Sequence, residues 1–485
     1  MQQLQATKAA QLWSYFLTIC SIPHPSKHEQ QLVAWIIDWA KHKNISCIQD
    51  TTGNLILRKP ASAGYENKTA VILQAHLDMV PQKNSQTKHD FLTDPIIPVI
   101  DGEWLHAENT TLGADNGIGM ASCLAVLADN TIAHGPLEVL LTTDEETGMT
   151  GAFGLQANAL QGKTLINTDS EQEGELYIGC AGGINVNIDL PYEIMEAEPA
   201  DNAYEISLCG LKGGHSGCDI NLQRGNAIKI LADVLHNLNE FPFHLALFEG
   251  GSLRNAIPRE ARTVIVCNQQ YQHSLEIIIN SLQLELANKF HHVEAQLQLT
   301  VKACQLPAFV LTNQSQTNIL NSLTGCENGV FTMDDDFSDV VKTSSNLGMV
   351  TQNMNEQIRF EIQVLIRSQL EQEKQLVADK ISEHYKVNGG LVRQNGNYPG
   401  WKPNPTSTIY KVMEAQYSKL FDKKPKAMVI HAGLECGLFS DKYPHWDMIS
   451  FGPTIKFPHS PDEKVHIASV DKYWQLLVAT LAAID

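Results

Sequence analysis

The residues able to do chemistry gather in five short segments. In Leu73-Gln-Ala-His76-Leu-Asp78-Met-Val80 a strand puts His76 and Asp78 on one face, because strand side chains alternate with period two. Such a pair is a metal-binding imidazole with the carboxylate that orients it, or simply a surface pair. Thr111-Leu-Gly-Ala-Asp115-Asn-Gly-Ile-Gly119 sets one carboxylate in a glycine-rich loop before a helix, as a ligand or as an N-cap. The loop matches neither phosphate-binding glycine pattern, which rejects nucleotide binding there. Leu140-Leu-Thr-Thr-Asp144-Glu145-Glu146-Thr-Gly148 follows an apolar strand with three acids. Adjacent side chains point apart, so Glu145 and Glu146 can take separate roles. Thr164-Leu-Ile-Asn-Thr-Asp169-Ser-Glu171 is again a strand ending in an acid, and Gly452 to Glu463 carries His459 in a loop stiffened by three prolines.

Each segment alone has a bland explanation as a solvated loop or a cap. Acids and two histidines recurring at strand ends and loops of one α/β framework are explained more economically by metal, because open α/β sheets place ligands at the carboxyl ends of their strands. Oxygen and imidazole donors without cysteine suit zinc, manganese or cobalt, and the candidates outnumber what one catalytic ion needs. Two divalent metal ions per chain are expected. Asp115, Glu146, Asp169 and a hydroxide balance their charge, whereas without cations the same carboxylates repel one another.

The elements that must position these residues read as an α/β fold. Apolar strand patterns at Val71 to Gln74, Leu137 to Thr142 and Thr164 to Asn167 alternate with a helical pattern at Gly117 to Ala128, which argues a largely parallel sheet. The character changes near Gly182 and Gly183. Shorter strands and helices follow, such as Tyr204 to Leu208 and Gln223 to Leu238, until the turn-rich Tyr398-Pro-Gly-Trp-Lys-Pro-Asn-Pro405. The expected organisation is a catalytic domain over residues 1–183 and 398–485, interrupted by an inserted α+β lid domain over 184–397. The insert is either one irregular domain or a duplicated unit, with halves near 204–302 and 330–394. A helix over Thr408 to Phe421 and a strand near Met428 to Ile430 resume the first domain.

Composition narrows the function classes. Thirty-five Lys and Arg against 54 Asp and Glu give a net charge of −19, which repels nucleic acid and anionic membranes, and no basic run offsets it. The 10 cysteines are scattered without a C-x-x-C pair and read as reduced thiols of a cytoplasmic protein. Leu12 to Ile22 lacks a basic leader and a cleavage site, so it reads as an amphipathic helix rather than a signal peptide. No apolar run reaches the ~18 to 20 residues of a membrane span.

His76-Leu-Asp78, Gly113-Ala-Asp115-Asn, Glu145-Glu146, Asp169 and His459 together resemble the cocatalytic zinc peptidases related to aminoacylase, carnosinase and glutamate carboxypeptidase. With Ile22-Pro-His-Pro-Ser26, Gly213-Gly-His215-Ser-Gly217, Leu253-Arg-Asn255-Ala-Ile-Pro258, His431-Ala-Gly-Leu-Glu435-Cys-Gly437 and His459-Ser-Pro-Asp-Glu463 the likeness extends to the bacterial aminoacyl-histidine dipeptidases over nearly the whole chain. The resemblance implies that His76 and Asp169 bind one metal, Glu146 and His459 the other, and that Asp115 bridges them. It implies that Asp78 orients His76 and that Glu145 is the general base. His215 would stabilise the oxyanion, although a surface histidine in a turn is the plainer reading of that motif; Ser216 fails as a hydrolase nucleophile because Cys218 breaks the G-x-S-x-G pattern.

Asn255 matches a substrate-contacting position of the family. Arg367 would clamp the substrate carboxylate or else pair with a surface acid, and Glu435 would receive the ammonium or have no such role. The implied substrates are unblocked dipeptides, including Xaa-His dipeptides such as carnosine. The alternatives are an N-acyl amino-acid hydrolase and a non-catalytic metal-binding protein. A homodimer is left open. The insert is long enough for two units, which favours His215 acting within its own chain after a hinge closure.

Overall fold

The computed structural model describes residues 2–238, 241–335, 337–354 and 358–485. The chain divides into two compact units, Met1–Cys180 with Trp401–Val429 and Leu434–Asp485, and Ala181–Gly400 with Ile430–Gly433.

The first unit is built on an eight-stranded sheet. Its middle strands, Leu137–Thr142, Val71–His76, Thr164–Asn167 and Asp447–Ser450, run mutually parallel, and antiparallel strands flank them. Val71–His76 and Leu137–Thr142 are buried along their whole length, which explains why their apolar residues fall on both faces where a half-exposed strand would alternate. Because the four strands are parallel, His76 and the turns that follow Thr142 and Asn167 all lie at the same sheet edge. The fourth middle strand comes from the far end of the chain: Ser450 bonds Ser170 across 280 positions. The helices Ala10–Cys20, Ala114–Ala128 and Ile467–Ala483 supply apolar faces to the core beside the sheet. Thr408–Phe421 is helical as expected, started by the Ser407 side chain accepting the Tyr410 N–H.

Two boundaries differ from the sequence reading for local reasons. The helix Ala114–Ala128 begins three residues early, with Asp115 and Asn116 in non-helical conformation inside its first turn. The helix Ala227–Asn237 begins late, because Asn226 caps it by accepting from Ile228 and Lys229. The proline-rich stretch before Glu463, expected as a plain loop, forms a hairpin in which Ile455–Lys456 pairs with Lys464–His466. His459 sits in its turn with φ of +57°.

The second unit carries a nine-stranded antiparallel sheet with one helical layer over its apolar core. It contains two strand–helix–strand–strand–helix–strand repeats of the same topology. The first comprises Asp201–Cys209, Ala227–Asn237, His244–Gly250, Ala261–Asn268, Gln272–Phe290 and Gln298–Cys304. The second comprises Gly182–Pro191, Asn313–Gly325, Val341–Asn353, Arg359–Ser368, Glu371–Val387 and Leu391–Tyr398. In each, the sheet order is fourth, first, third, second strand, and the two second strands meet at Gly250 and Val350. The bounds 330–394 read from the sequence leave out the first strand and first helix of the second repeat, and that strand precedes the whole first repeat. The two ends of this unit also close on each other, since Gly183 pairs with Tyr398. In the first unit the adjoining residues do the same: Cys180 and Trp401 exchange two backbone hydrogen bonds of 2.9 Å.

Candidate active site

In the first unit the parallel edge gathers the expected acids. His76, Asp115 and Glu146 each offer a ligand atom, all within 4.8 Å of one another. His76 Nε2 lies 3.2 Å from Asp115 Oδ1 and 3.3 Å from Asp169 Oδ1. His459 Nε2 lies 3.2 Å from Asp115 Oδ2 and 3.0 Å from Glu146. Asp115 thus faces one histidine with each carboxylate oxygen. Two glycines permit this. Gly113 adopts φ of +70° to turn the loop into its helix, and a Cβ on Gly119 would meet the Thr168 side chain and carbonyl at 2.4 and 2.7 Å.

Asp78 holds the cluster from behind. Its backbone carbonyl lies 3.0 Å from His76 Nδ1, which leaves Nε2 directed at the acids. Its carboxylate accepts the backbone N–H of Glu145 at 2.9 Å and of Glu146 at 3.2 Å, and the Ser26 hydroxyl at 2.8 Å. The two glutamates therefore diverge from one anchored turn. Glu146 reaches His459, whereas the Glu145 carboxylate takes no hydrogen bond among the described residues.

The electrostatics fit divalent cations. Burial and the neighbouring acids push the Asp169 carboxyl up to about 7 and Glu171 to about 8, and raise Glu146 and, more strongly, Glu145. Burial alone would lower His76, but Asp169, Asp115 and Asp78 override it and hold the ring well above the usual imidazole range. Beyond its 3.3 Å ion-pair approach to His76, Asp169 Oδ1 is buried without a hydrogen bond among the described residues. Carboxylates so crowded, with an oxygen left unsatisfied, form a donor set that positive charge would relieve.

Glu435 is fully buried in the same unit, on the helix Glu435–Lys442. Its Oε2 accepts from Gln74 at 2.5 Å and from Thr142 at 2.7 Å, and its Oε1 has no partner among the described residues. Burial raises it to about 8.

The second unit holds the remaining candidates. His215 lies on the short strand Gly214–His215, whose pairing with Ala256–Ile257 places Asn255 beside it. The Asn255 carbonyl accepts the Ser216 N–H, and its own side chain is exposed. His215 Nδ1 accepts the N–H groups of Gly217 and Cys218 at 3.2 and 3.1 Å, so the ring proton resides on Nε2. Burial and Arg367 lower His215 to about 4 and keep the ring neutral. Arg367 is buried on the strand Arg359–Ser368 with Nη2 3.4 Å from His215 Nε2. It bonds Tyr398 and Ser216, and no carboxylate among the described residues pairs with it, so the surface ion pair is not what forms. Arg367 and His215 thus bring N–H groups within 3.4 Å of each other, a pair able to receive an anion.

Sequence reasoning missed several residues that build these clusters. Glu171 adds a carboxylate to the first, Glu463 ties the Asp115 loop, and Ser344 and Tyr398 line the second. His431 also belongs there: its Nε2 lies 2.7 Å from Ser344 Oγ, and burial and Arg367 lower it to about 3. Glu171, His431 and Glu463 stood inside segments already singled out for chemistry, whereas Tyr398 was marked only as a domain boundary and Ser344 not at all.

A cytosol non-specific dipeptidase of Escherichia coli is 49% identical over 486 residues, covering 100% of this chain and 99% of that one. The crystal structure of aminoacylhistidine dipeptidase from Vibrio alginolyticus superposes with a TM-score of 0.89 at 47% identity, over 99% of this chain and 98% of that one. An aminopeptidase PepT from Bacillus cereus, 17% identical with a TM-score of 0.57 over 99% of both chains, shares the fold alone. The model of peptidase family M20/M25/M40 matches residues 72–483, from the strand that carries His76 to the last helix, and the chain belongs to that family.

Proposed function

We propose that this protein is a cytoplasmic, metal-dependent dipeptidase that cleaves the single peptide bond of unblocked dipeptides, Xaa-His dipeptides such as carnosine included. What supports the reading most is the convergence of His76, Asp115, Glu146, Asp169 and His459 beside an unengaged Glu145, in a chain that aligns end to end with a dipeptidase. In this reading His76 and Asp169 hold one cation, Glu146 and His459 a second, and Asp115 both; zinc is the first candidate, manganese and cobalt the others. Bound there, divalent cations acidify water and polarise a carbonyl. Glu145 takes the proton from the attacking water and returns it to the leaving amine. Asp78 keeps His76 oriented and fixes the turn from which Glu145 projects.

His215 donates its Nε2 proton to the developing oxyanion, a task for which a neutral ring with a committed Nδ1 is prepared. Arg367 takes the C-terminal carboxylate through two parallel hydrogen bonds, and Asn255 contacts the substrate from the neighbouring turn. Glu435 receives the free ammonium on Oε1. Anchoring both charged ends fixes the scissile bond and disfavours longer chains. His215 acts within its own chain, also if the protein is a homodimer, so mixing Glu145→Gln and His215→Ala chains under subunit exchange recovers no activity.

The deciding assay compares a free dipeptide, its N-acetyl form and a tripeptide with zinc supplied. The expected result is fast hydrolysis of the free dipeptide alone. Equal kcat/KM for the acetylated form would remove the ammonium site and favour an N-acyl amino-acid hydrolase. No hydrolysis by zinc-loaded protein would leave a non-catalytic binder.

A further inference from the structure

The helix that follows the Asp115 loop has no side-chain cap of its own, for Gly113 stands at its N-cap position. Its first amides are covered from the other end of the chain. Glu463 Oε2 accepts the N–H of Leu112 at 2.8 Å and of Gly113 at 3.0 Å, and Oε1 accepts that of Ala114 at 2.8 Å and of Asp115 at 3.3 Å. Glu463 is 2% exposed, and the partners are some 350 positions apart in sequence. A local Ser or Asp cap satisfies one or two such donors. Here one carboxylate holds four, the amide of Asp115 among them, and its negative charge stands where the helix dipole favours it.

The consequence for Asp115 is direct. Relieved of capping, its carboxylate faces His76 with one oxygen and His459 with the other. Glu463 also closes the hairpin turn that carries His459, four residues on. The same carboxylate therefore joins the backbone of the Asp115 loop to the backbone of the His459 loop, whose side chains meet at 3.2 Å.

We propose that Glu463 is a positioning residue, an anionic clamp that sets the cation affinity of the site by fixing the Asp115 loop against the His459 loop. The inference rests on the reading that Asp115 and His459 hold cations. Glutamine keeps the shape of the side chain but turns an NH2 group toward backbone donors, which leaves two buried N–H groups unpaired.

The test measures zinc affinity of the metal-stripped full-length protein by competition with a chelating dye, together with the melting temperature of the stripped form and steady-state kinetics at saturating zinc. Wild type should take two ions. Glu463→Gln should lose roughly 10- to 100-fold in zinc affinity, and kcat should fall while KM for a dipeptide stays within about twofold. That loss should shrink in a His459→Ala background, because a clamp acting through His459 is non-additive with it. If the glutamine variant does not fold, Glu463→Asp, which keeps the charge but falls one methylene short, takes its place in the same comparison. Unchanged zinc affinity, or a loss undiminished in the His459→Ala background, overturns the clamp. Wild type that takes no zinc overturns the metal reading instead.

Discussion

The two polar clusters of this chain are built on opposite charge. In the first unit five carboxyls, Asp115, Glu145, Glu146, Asp169 and Glu171, crowd around two histidines, and burial with mutual repulsion raises four of them. In the second unit Arg367 stands among His215, His431 and hydroxyls, and it helps hold both histidines neutral at about 4 and about 3. One cluster has acceptors in excess and the other donors. A dipeptide is a zwitterion with a carbonyl between its charges, and a polarised carbonyl needs positive charge on one side and a proton donor for its oxygen. Neither cluster alone offers both: an excess of acceptors suits cations, and an excess of donors suits anions.

The largest expected effect comes from removing what the acidic cluster requires. Exhaustive chelation should abolish hydrolysis, and zinc, manganese or cobalt should restore it with two ions bound per chain, measured by elemental analysis. Full turnover by stripped protein would end the contrast. Next, Glu145→Gln should lower kcat by roughly 100- to 10,000-fold while both ions remain bound; loss of metal would move Glu145 into the ligand set. A smaller effect belongs to the second unit. Arg367→Ala should cost roughly 10- to 100-fold in kcat/KM for substrates with a free carboxylate, as expected for a charged hydrogen bond, and little for C-terminal amides.

The smallest effect sharpens the electrostatic half of the comparison. An unfolded histidine takes up its proton near 6.5, whereas His215 and His431 resist until about 4 and about 3. Between those values the unfolded chain binds more protons than the folded one. Stability contributed by these rings is therefore complete above about 6.5 and is lost as the pH falls through that window. Replacing His431 by Asn should flatten the acid limb of a stability–pH profile by about one proton. A limb of unchanged slope would show that the ring is already charged in the fold.

Much of the first cluster was legible because strand-end chemistry is local. The strand Val71 to His76 ends on a ligand-type residue, and Leu137 to Thr142 and Thr164 to Asn167 end within four residues of Glu146 and Asp169, so pattern and site nearly coincide. The second cluster was less legible for a physical reason. Arg367, Ser344 and Tyr398 come from three strands whose neighbours are fixed only by sheet pairing, and a one-residue slip would turn each to the other face. Nesting hid the second repeat likewise, because Gly182–Pro191 belongs with strands beyond residue 340. The alternative for Asp115 as an N-cap was resolved by Glu463, a partner no local window contains.

The meeting ends of the second unit have a thermodynamic consequence. With Gly183 paired to Tyr398, and Cys180 to Trp401, an insertion of about 220 residues leaves and re-enters the first sheet as a tight turn does. While that insertion is unstructured, the strand Asp447–Ser450 must find Thr164–Asn167 across a long flexible loop. Loop-closure entropy costs about 0.6 kcal/mol for each doubling of length, and roughly six doublings separate a short turn from this insertion, so the difference is about 4 kcal/mol. Folding of the insert thus stabilises a sheet to which it adds no strand, and a destabilising substitution deep in its core would be felt first as a failure of the first unit to close.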